Sequence, residues 1–222
     1  MIIKVCGMTD SGNIKDVAAL GIDWIGMVFC PESPRYVGMT PSYAGIIPDK
    51  GTIDAGVTNV KNVGVFADAT SQEIITRIVN FKLDIIQLNG NESPVMIDNL
   101  RNTIVPDINP DIKIIKAIRI SRPEDIESHR AYEAHADYLL FDTKRSTKGG
   151  SDRQFDWSAL DTYDGRTPFL LGGGIGPDDA ERIKNLRNPK MAGIDINSRF
   201  ETSPGIKDMA MLSKFICNIR QE

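Results

Sequence analysis

Apolar residues fall along this chain in short unbroken runs, separated by longer stretches in which they return every three or four positions. The runs are Ile2–Val5, Trp24–Phe29, Asn62–Phe66, Asp84–Leu88, Ile112–Ala117, Tyr138–Phe141, Pro168–Leu171 and Gly193–Ile196. Because they are continuous rather than alternating, they predict strands covered on both faces, as in a parallel sheet. The stretches between them carry helical spacing and helix-start residues. Asn13–Leu20 stops at Gly21, Ser71–Asn80 places Ile74, Ile75, Ile78 and Val79 on one face, and Ser93–Leu100 has Pro94 in its first turn. Pro123–Arg130, Pro177–Asn185 and Asp208–Ile219 complete the set, each beginning near a capping or first-turn residue.

Strand starts recur about every 20 to 40 residues, room for one strand, one helix and two loops. Eight such units with no break in composition predict an α/β protein. We expect a (β/α)8 TIM barrel spanning residues 1–222 as a single domain, with an open doubly wound sheet as the alternative. Two segments fit less well. Gly38–Val60 has only a weak helical pattern around Pro41–Ile47, which predicts an irregular second helix followed by a mobile loop at Asp49–Asn59. Thr143–Gln154 is polar and glycine-containing, and reads as a long loop after the sixth strand.

Composition narrows the setting rather than the fold. Hydrophobic residues make up 41% and charged residues 25% of the chain, as in ordinary soluble proteins. The formal net charge of -4 gives no electrostatic footprint for nucleic acid or an anionic membrane, yet leaves room for a local positive pocket. No apolar run approaches the roughly 18 residues of a membrane span, and no basic and apolar leader precedes the first strand. Cys6, Cys30 and Cys217 are scattered, which is neither a disulfide framework nor a zinc spacing. These features predict a cytoplasmic protein without metal, nucleic-acid or membrane partners. A monomer is expected, with a homodimer as the alternative. The two histidines, His129 and His135, lie in a polar stretch and are expected on a solvated face. Proton chemistry then falls to thiols and carboxylates.

In a barrel of this kind the active site lies at the carboxyl ends of the strands. Strand one ends at Cys6, strand two leads to Ser33-Pro34-Arg35, and strand four carries Gln87-Leu88-Asn89-Gly90. Strand six ends at Asp142, strand seven at Gly172-Gly173-Gly174, and strand eight at Asp195-Ile196-Asn197-Ser198. The glycine run lets main-chain amides approach an anion closely, and a short helix starting near Ser198 would add its positive end, so Gly172, Gly173, Gly174, Asn197 and Ser198 are candidate phosphate ligands. Tight turns use glycine too. Arg35 is either a bidentate carboxylate clamp or a surface arginine. Asp142, at the rim of an apolar core, is either an acid whose pKa burial raises or a loop cap. Cys6 is either a reactive thiol or a small core filler. Facing each other across the mouth, a thiol that ionises near neutral pH and a protonated carboxyl would form an acid–base pair without metal or histidine, suited to isomerising a phosphorylated substrate.

Several motifs, in order from the first strand to the last helix, resemble the phosphoribosylanthranilate isomerase family. They are Lys4-Val5-Cys6-Gly7-Met8, Ser33-Pro34-Arg35-Tyr36-Val37, Val63-Gly64-Val65-Phe66, Gln87-Leu88-Asn89-Gly90-Asn91-Glu92 and Phe141-Asp142-Thr143. Gly149-Gly150-Ser151, Phe155-Asp156-Trp157, Gly172-Gly173-Gly174, Gly193-Ile194-Asp195-Ile196-Asn197-Ser198, Glu201 and Pro204-Gly205-Ile206-Lys207-Asp208 continue the series. The resemblance implies a cofactor-free Amadori rearrangement of N-(5-phosphoribosyl)anthranilate, a small phosphorylated aromatic aminosugar, in tryptophan biosynthesis. By that analogy Asp142 is the general acid, Cys6 the base and Arg35 the holder of the anthranilate carboxylate. Gln87 and Asp195 are the further substrate-binding candidates, Asp195 near the sugar hydroxyls. Asn89 departs from the histidine usual in the family, which implies altered hydrogen bonding in the pocket. Two other enzymes on phosphate-binding barrels compete. The indole-glycerol-phosphate synthase would use catalytic lysines and an amino-terminal extension, which is not seen. The histidine-pathway sugar isomerase would carry aspartate in place of Cys6. A non-catalytic binding barrel would need neither Cys6 nor Asp142.

Overall fold

A computed structural model describes residues 1–38, 60–143 and 154–221. The weak helix at Pro41–Ile47, the loop at Asp49–Asn59, the Gly149-Gly150-Ser151 motif and most of the Thr143–Gln154 loop lie outside them. Eight parallel strands close into a barrel in chain order. They are β1 (Ile2–Val5), β2 (Trp24–Val28), β3 (Lys61–Phe66), β4 (Ile85–Leu88), β5 (Lys113–Ile120), β6 (Tyr138–Thr143), β7 (Phe169–Leu171) and β8 (Met191–Ile196). Closure is made by β1 on β8, with Lys4 opposite Asp195 and Val5 opposite Ile196. An open sheet is therefore excluded.

Strand alternation sends successive side chains to opposite sides of the barrel wall. Ile3, Val5, Leu139, Phe141, Ile194 and Ile196 face outward into the main helix-covered core. Trp24, Val63, Ile85, Ile115, Leu140 and Leu170 face inward and plug the barrel's lower half with hydrocarbon. The same alternation carries Cys6, Gln87 and Asp142 inward one layer higher, at the carboxyl rim.

The helices Ser11–Ala19, Ser71–Phe81, Pro94–Ile104 and Met209–Arg220 cover the wall near their expected positions. Local chemistry starts them: Thr70 and Glu73 form a reciprocal capping box, worth about 1 kcal/mol, and Ser93 caps a helix that opens on Pro94. Elsewhere the helical layer thins. Pro123–Ala131 and Trp157–Thr162 are 3-10 segments, and Pro177–Asp179 is a 3-10 turn leading into the short helix Ala180–Lys184. After β8 comes a single 3-10 turn, Ser198–Phe200, then a small antiparallel ribbon of β9 (Glu201–Ser203) and β10 (Ile206–Lys207). Its hinge is Pro204-Gly205, with Gly205 at φ +91°.

One expectation is overturned here. His129 is not on a solvated face: it is 1% exposed, its Nδ1 lies 3.0 Å from Glu133, and its ring meets Tyr163 edge to face. The polar stretch around it folds as a 3-10 segment, whose three-residue repeat turns Ile126 and His129 together onto the core side.

Candidate active site

The β1 end turns sharply at Gly7 (φ +77°), immediately after Cys6. A β-carbon on Gly7 would come within 2.5 Å of the Arg35 stem and 2.6 Å of Asn197 Oδ1, so three separate loops converge on this one backbone position. The Arg35 loop reaches it by folding back on β2, where the Val37 N–H donates to the Val28 carbonyl (2.8 Å) and the Arg35 N–H to Ser33 Oγ (3.1 Å). Gly26 on β2 makes room for the sulfur, since a β-carbon there would sit 2.7 Å from it.

Cys6 is 5% exposed, with Val28, Val65 and Cys30 on one side. On the other side lies a buried charged cluster. Lys4 Nζ donates to Asp195 Oδ2 at 2.8 Å, and Asp195 Oδ1 is buried without a partner among the described residues. Lys207 Nζ donates to Glu201 (2.6 Å) and to Asn197 Oδ1 (2.8 Å). Arg35 donates to the same Glu201 carboxylate through Nε and Nη2. Arg35 is therefore no surface arginine.

Burial pushes the Cys6 thiol above its ordinary range and Asp195 adds to this, while Lys4 and Lys207 pull it back. The expectation of a thiol that ionises near neutral pH is thus not met, because desolvation outweighs the two ammonium groups. Burial would lower Lys4, but Asp195 and Cys6 more than reverse it, so its ammonium is held. The same burial pushes Asp195 up against the pull of Lys4. For the pair as a whole, the 2.8 Å contact of a fully buried ammonium favours the charged form.

Asp142 lies on the far side of β7 and β8, at the inward-facing end of β6. The chain at Gly173 (φ +84°) runs directly against it, since a β-carbon there would be 2.8 Å from Asp142 Oδ1. Gly172 in turn packs near Asp195, whose β-carbon would lie 3.7 Å from one on Gly172. The glycine run thus links the thiol side of the rim to the carboxyl side. The turn at Ser198 is only three residues long, so little helix dipole is available and an anion here must depend on individual main-chain N–H groups. Gln87, across the mouth on β4, donates from Nε2 to Asn89 Oδ1 (2.9 Å), and its Oε1 is buried without a partner among the described residues.

Lys4, Lys207 and the pairing role of Glu201 were absent from the sequence-derived site. For Lys4 a signal existed: two residues from Cys6 on one strand, it must share its face. Among the described residues no cluster of His, Cys, Asp and Glu is placed to hold a metal ion, and no helix is long and apolar enough to cross a membrane.

Residues 3–218 match the profile described as PRAI, N-(5'phosphoribosyl)anthranilate (PRA) isomerase. An N-(5'-phosphoribosyl)anthranilate isomerase of Parabacteroides distasonis is 45% identical over 99% of this chain and 93% of its own length. One from Phocaeicola vulgatus is 37% identical over 100% of this chain and 99% of its own. Among solved structures, a phosphoribosyl anthranilate isomerase in complex with reduced 1-(o-carboxyphenylamino)-1-deoxyribulose 5-phosphate superposes with a TM-score of 0.79 at 26% identity, covering 99% of both chains. The Thermotoga maritima isomerase gives 0.79 at 29% identity over 99% of both chains, and a further structure describes monomers made from that dimeric protein.

Proposed function

This chain belongs to the N-(5'-phosphoribosyl)anthranilate isomerase family, and from that premise we propose that Cys6 and Asp142 carry its proton transfers. The enzyme is an aldose–ketose isomerase of tryptophan biosynthesis that performs the Amadori rearrangement. Asp142 gives a proton to the ribose ring oxygen as the C1–O bond breaks, leaving an iminium between C1 and the anthranilate nitrogen. Cys6, as thiolate, takes the proton from C2, and the electron pair of that C–H bond closes C1=C2 and neutralises the nitrogen. The enolamine then becomes the ketose as the C2 hydroxyl loses its proton and C1 gains one.

The observation that carries this reading is the rim itself. A thiol between two buried ammonium groups and a carboxyl both face inward at strand ends joined by the glycine run. Main-chain N–H groups of Gly173, Gly174 and Ser198, with Asn197, take the phosphate, the Gly172 N–H being committed to the Phe141 carbonyl (2.8 Å), and Arg35 takes the anthranilate carboxylate in exchange or in company with Glu201. The two orphaned acceptors, Gln87 Oε1 and Asp195 Oδ1, are matched to substrate hydroxyls, because a buried acceptor without a donor is costly until a ligand supplies one. The chain works as a single domain in the cytoplasm and as a monomer, since among the described residues the large apolar side chains exposed on helices, Val79, Val95 and Met211, lie on three different ones.

Loss of the substrate's own fluorescence provides the test. Cys6→Ala and Asp142→Asn should each lower kcat by about 10²–10⁴-fold, the usual contribution of general acid–base catalysis, with substrate still bound. Wild-type rates in either variant would remove that residue from the chemistry.

A further inference from the structure

Lys4 is the least expected group in the site. It stands two residues before Cys6 at the end of β1, so the two side chains enter the barrel from one strand face, with the ammonium within hydrogen-bonding reach of the sulfur. It is 0% exposed, opposite Asp195 in the β1–β8 register, and bonded to it at 2.8 Å. Packing does not call for a cation there. The neighbouring interior positions are filled by Trp24, Val63 and Leu170, and a buried ion pair is rarely more stabilising than hydrocarbon of the same shape. Nor is the pair closed on itself, for Asp195 Oδ1 has no partner among the described residues. What the position does offer is charge beside a sulfur that Val28, Val65 and Gly26 otherwise surround with apolar wall.

We propose that Lys4 is a positioning residue for Cys6, its ammonium pinned by Asp195 and serving as the counter-ion that makes a thiolate tenable at the barrel mouth. The proposal rests on the reading of Cys6 as the base. Asp195 on β8 and Lys207 on β10 also face the sulfur, Arg35 passes over Gly7, and Cys30 shares the apolar wall. Lys207 is shared with Glu201 and Asn197, whereas Lys4 lies on the sulfur's own strand. The signs of the electrostatics follow: removing the Lys4 charge destabilises the thiolate, and removing the Asp195 charge stabilises it.

The test titrates the Cys6 thiolate by its ultraviolet absorbance in the full chain carrying Cys30→Ala and Cys217→Ala, as the difference from the same protein with Cys6→Ser. Lys4→Met should move the midpoint upward by about one pH unit or more, as loss of an adjacent opposite charge does, and Lys4→Arg should restore it. In turnover at neutral pH, Lys4→Met should lower kcat about tenfold for each pH unit by which the midpoint rises, with KM little changed. Its activity should recover as pH rises, a recovery that a purely structural lysine would not show. A parental midpoint in folded Lys4→Met overturns the proposal. Should that variant not fold, Lys4→Gln, uncharged but still able to donate to Asp195, is titrated in its place, and a parental midpoint there overturns the proposal. Full turnover by Cys6→Ser in the otherwise native chain would instead sink the base assignment, whatever the titrations show.

Discussion

Lys4 on β1 and Lys116 on β5 are both buried, and each lies 2.8 Å from a carboxylate oxygen. Their surroundings differ in one respect. The three ammonium protons of Lys116 meet three acceptors: Glu92 Oε2, the Gly90 carbonyl at 2.7 Å and the Leu88 carbonyl at 3.2 Å. The other oxygen of Glu92 accepts the N–H groups of Asp68 and Gly90. That network is complete, and it ties the loops after β3 and β4 to β5. The Lys4–Asp195 pair keeps a buried oxygen unbonded and has a thiol for a neighbour. A satisfied buried pair holds structure together; an unsatisfied one at a strand's carboxyl end retains capacity for a ligand or a proton.

The largest expected effect breaks the complete network. Lys116→Met strands the Glu92 carboxylate in the interior and should cost about 3–5 kcal/mol in urea unfolding, with turnover per folded molecule unchanged. Lys4→Met should cost less, because Asp195, already pushed up by burial, can take a proton and become neutral. Equal losses of stability in the two variants, with no change in the Cys6 titration, would make Lys4 a second staple and erase the contrast.

A smaller effect sharpens it. Gln87→Leu removes one orphaned carbonyl and one hydrogen bond to Asn89, so stability should stay within about 1 kcal/mol of wild type while KM for substrate rises. A loss of several kcal/mol would show that Gln87 belongs with Lys116 rather than with Asp195.

The mildest effect concerns pH. Burial would raise the Glu201 carboxyl, but Arg35 and Lys207 more than reverse this and hold it below its ordinary value of 4.5. A depressed carboxylate contributes stability that is present in full above that value and is lost as pH falls through the folded-state value. Urea melts should therefore show a constant difference between Glu201→Gln and wild type above pH 4.5, narrowing in more acid solution. A difference that widened on acidification would reverse the assigned sign.

Much of the architecture was legible because strand and helix signals are local. The run Ile2–Val5 became β1 with the same bounds, and Gly21, the expected helix stop, sits at φ +72°. The β9–β10 ribbon was missed, since strands of three and two residues leave no periodicity; only the Pro204-Gly205 dipeptide signalled a turn. His129 was misplaced because its polar neighbours conceal a three-residue repeat. The candidate site divides in the same way. Its strand-end residues could be read from position alone, whereas Glu201 as the partner of Arg35 joins residues 166 apart.

By itself, then, the sequence determined that eight apolar runs are set apart by helical and loop stretches, and hence which thiol, carboxyl and glycines stand at strand ends, because backbone period and glycine's conformational range are properties of neighbouring residues. Only the tertiary structure decided the state of those groups. Whether a sulfur holds its proton depends on lost water and on charges brought beside it, and here one of those charges comes from Asp195, held to Lys4 across 191 residues of chain.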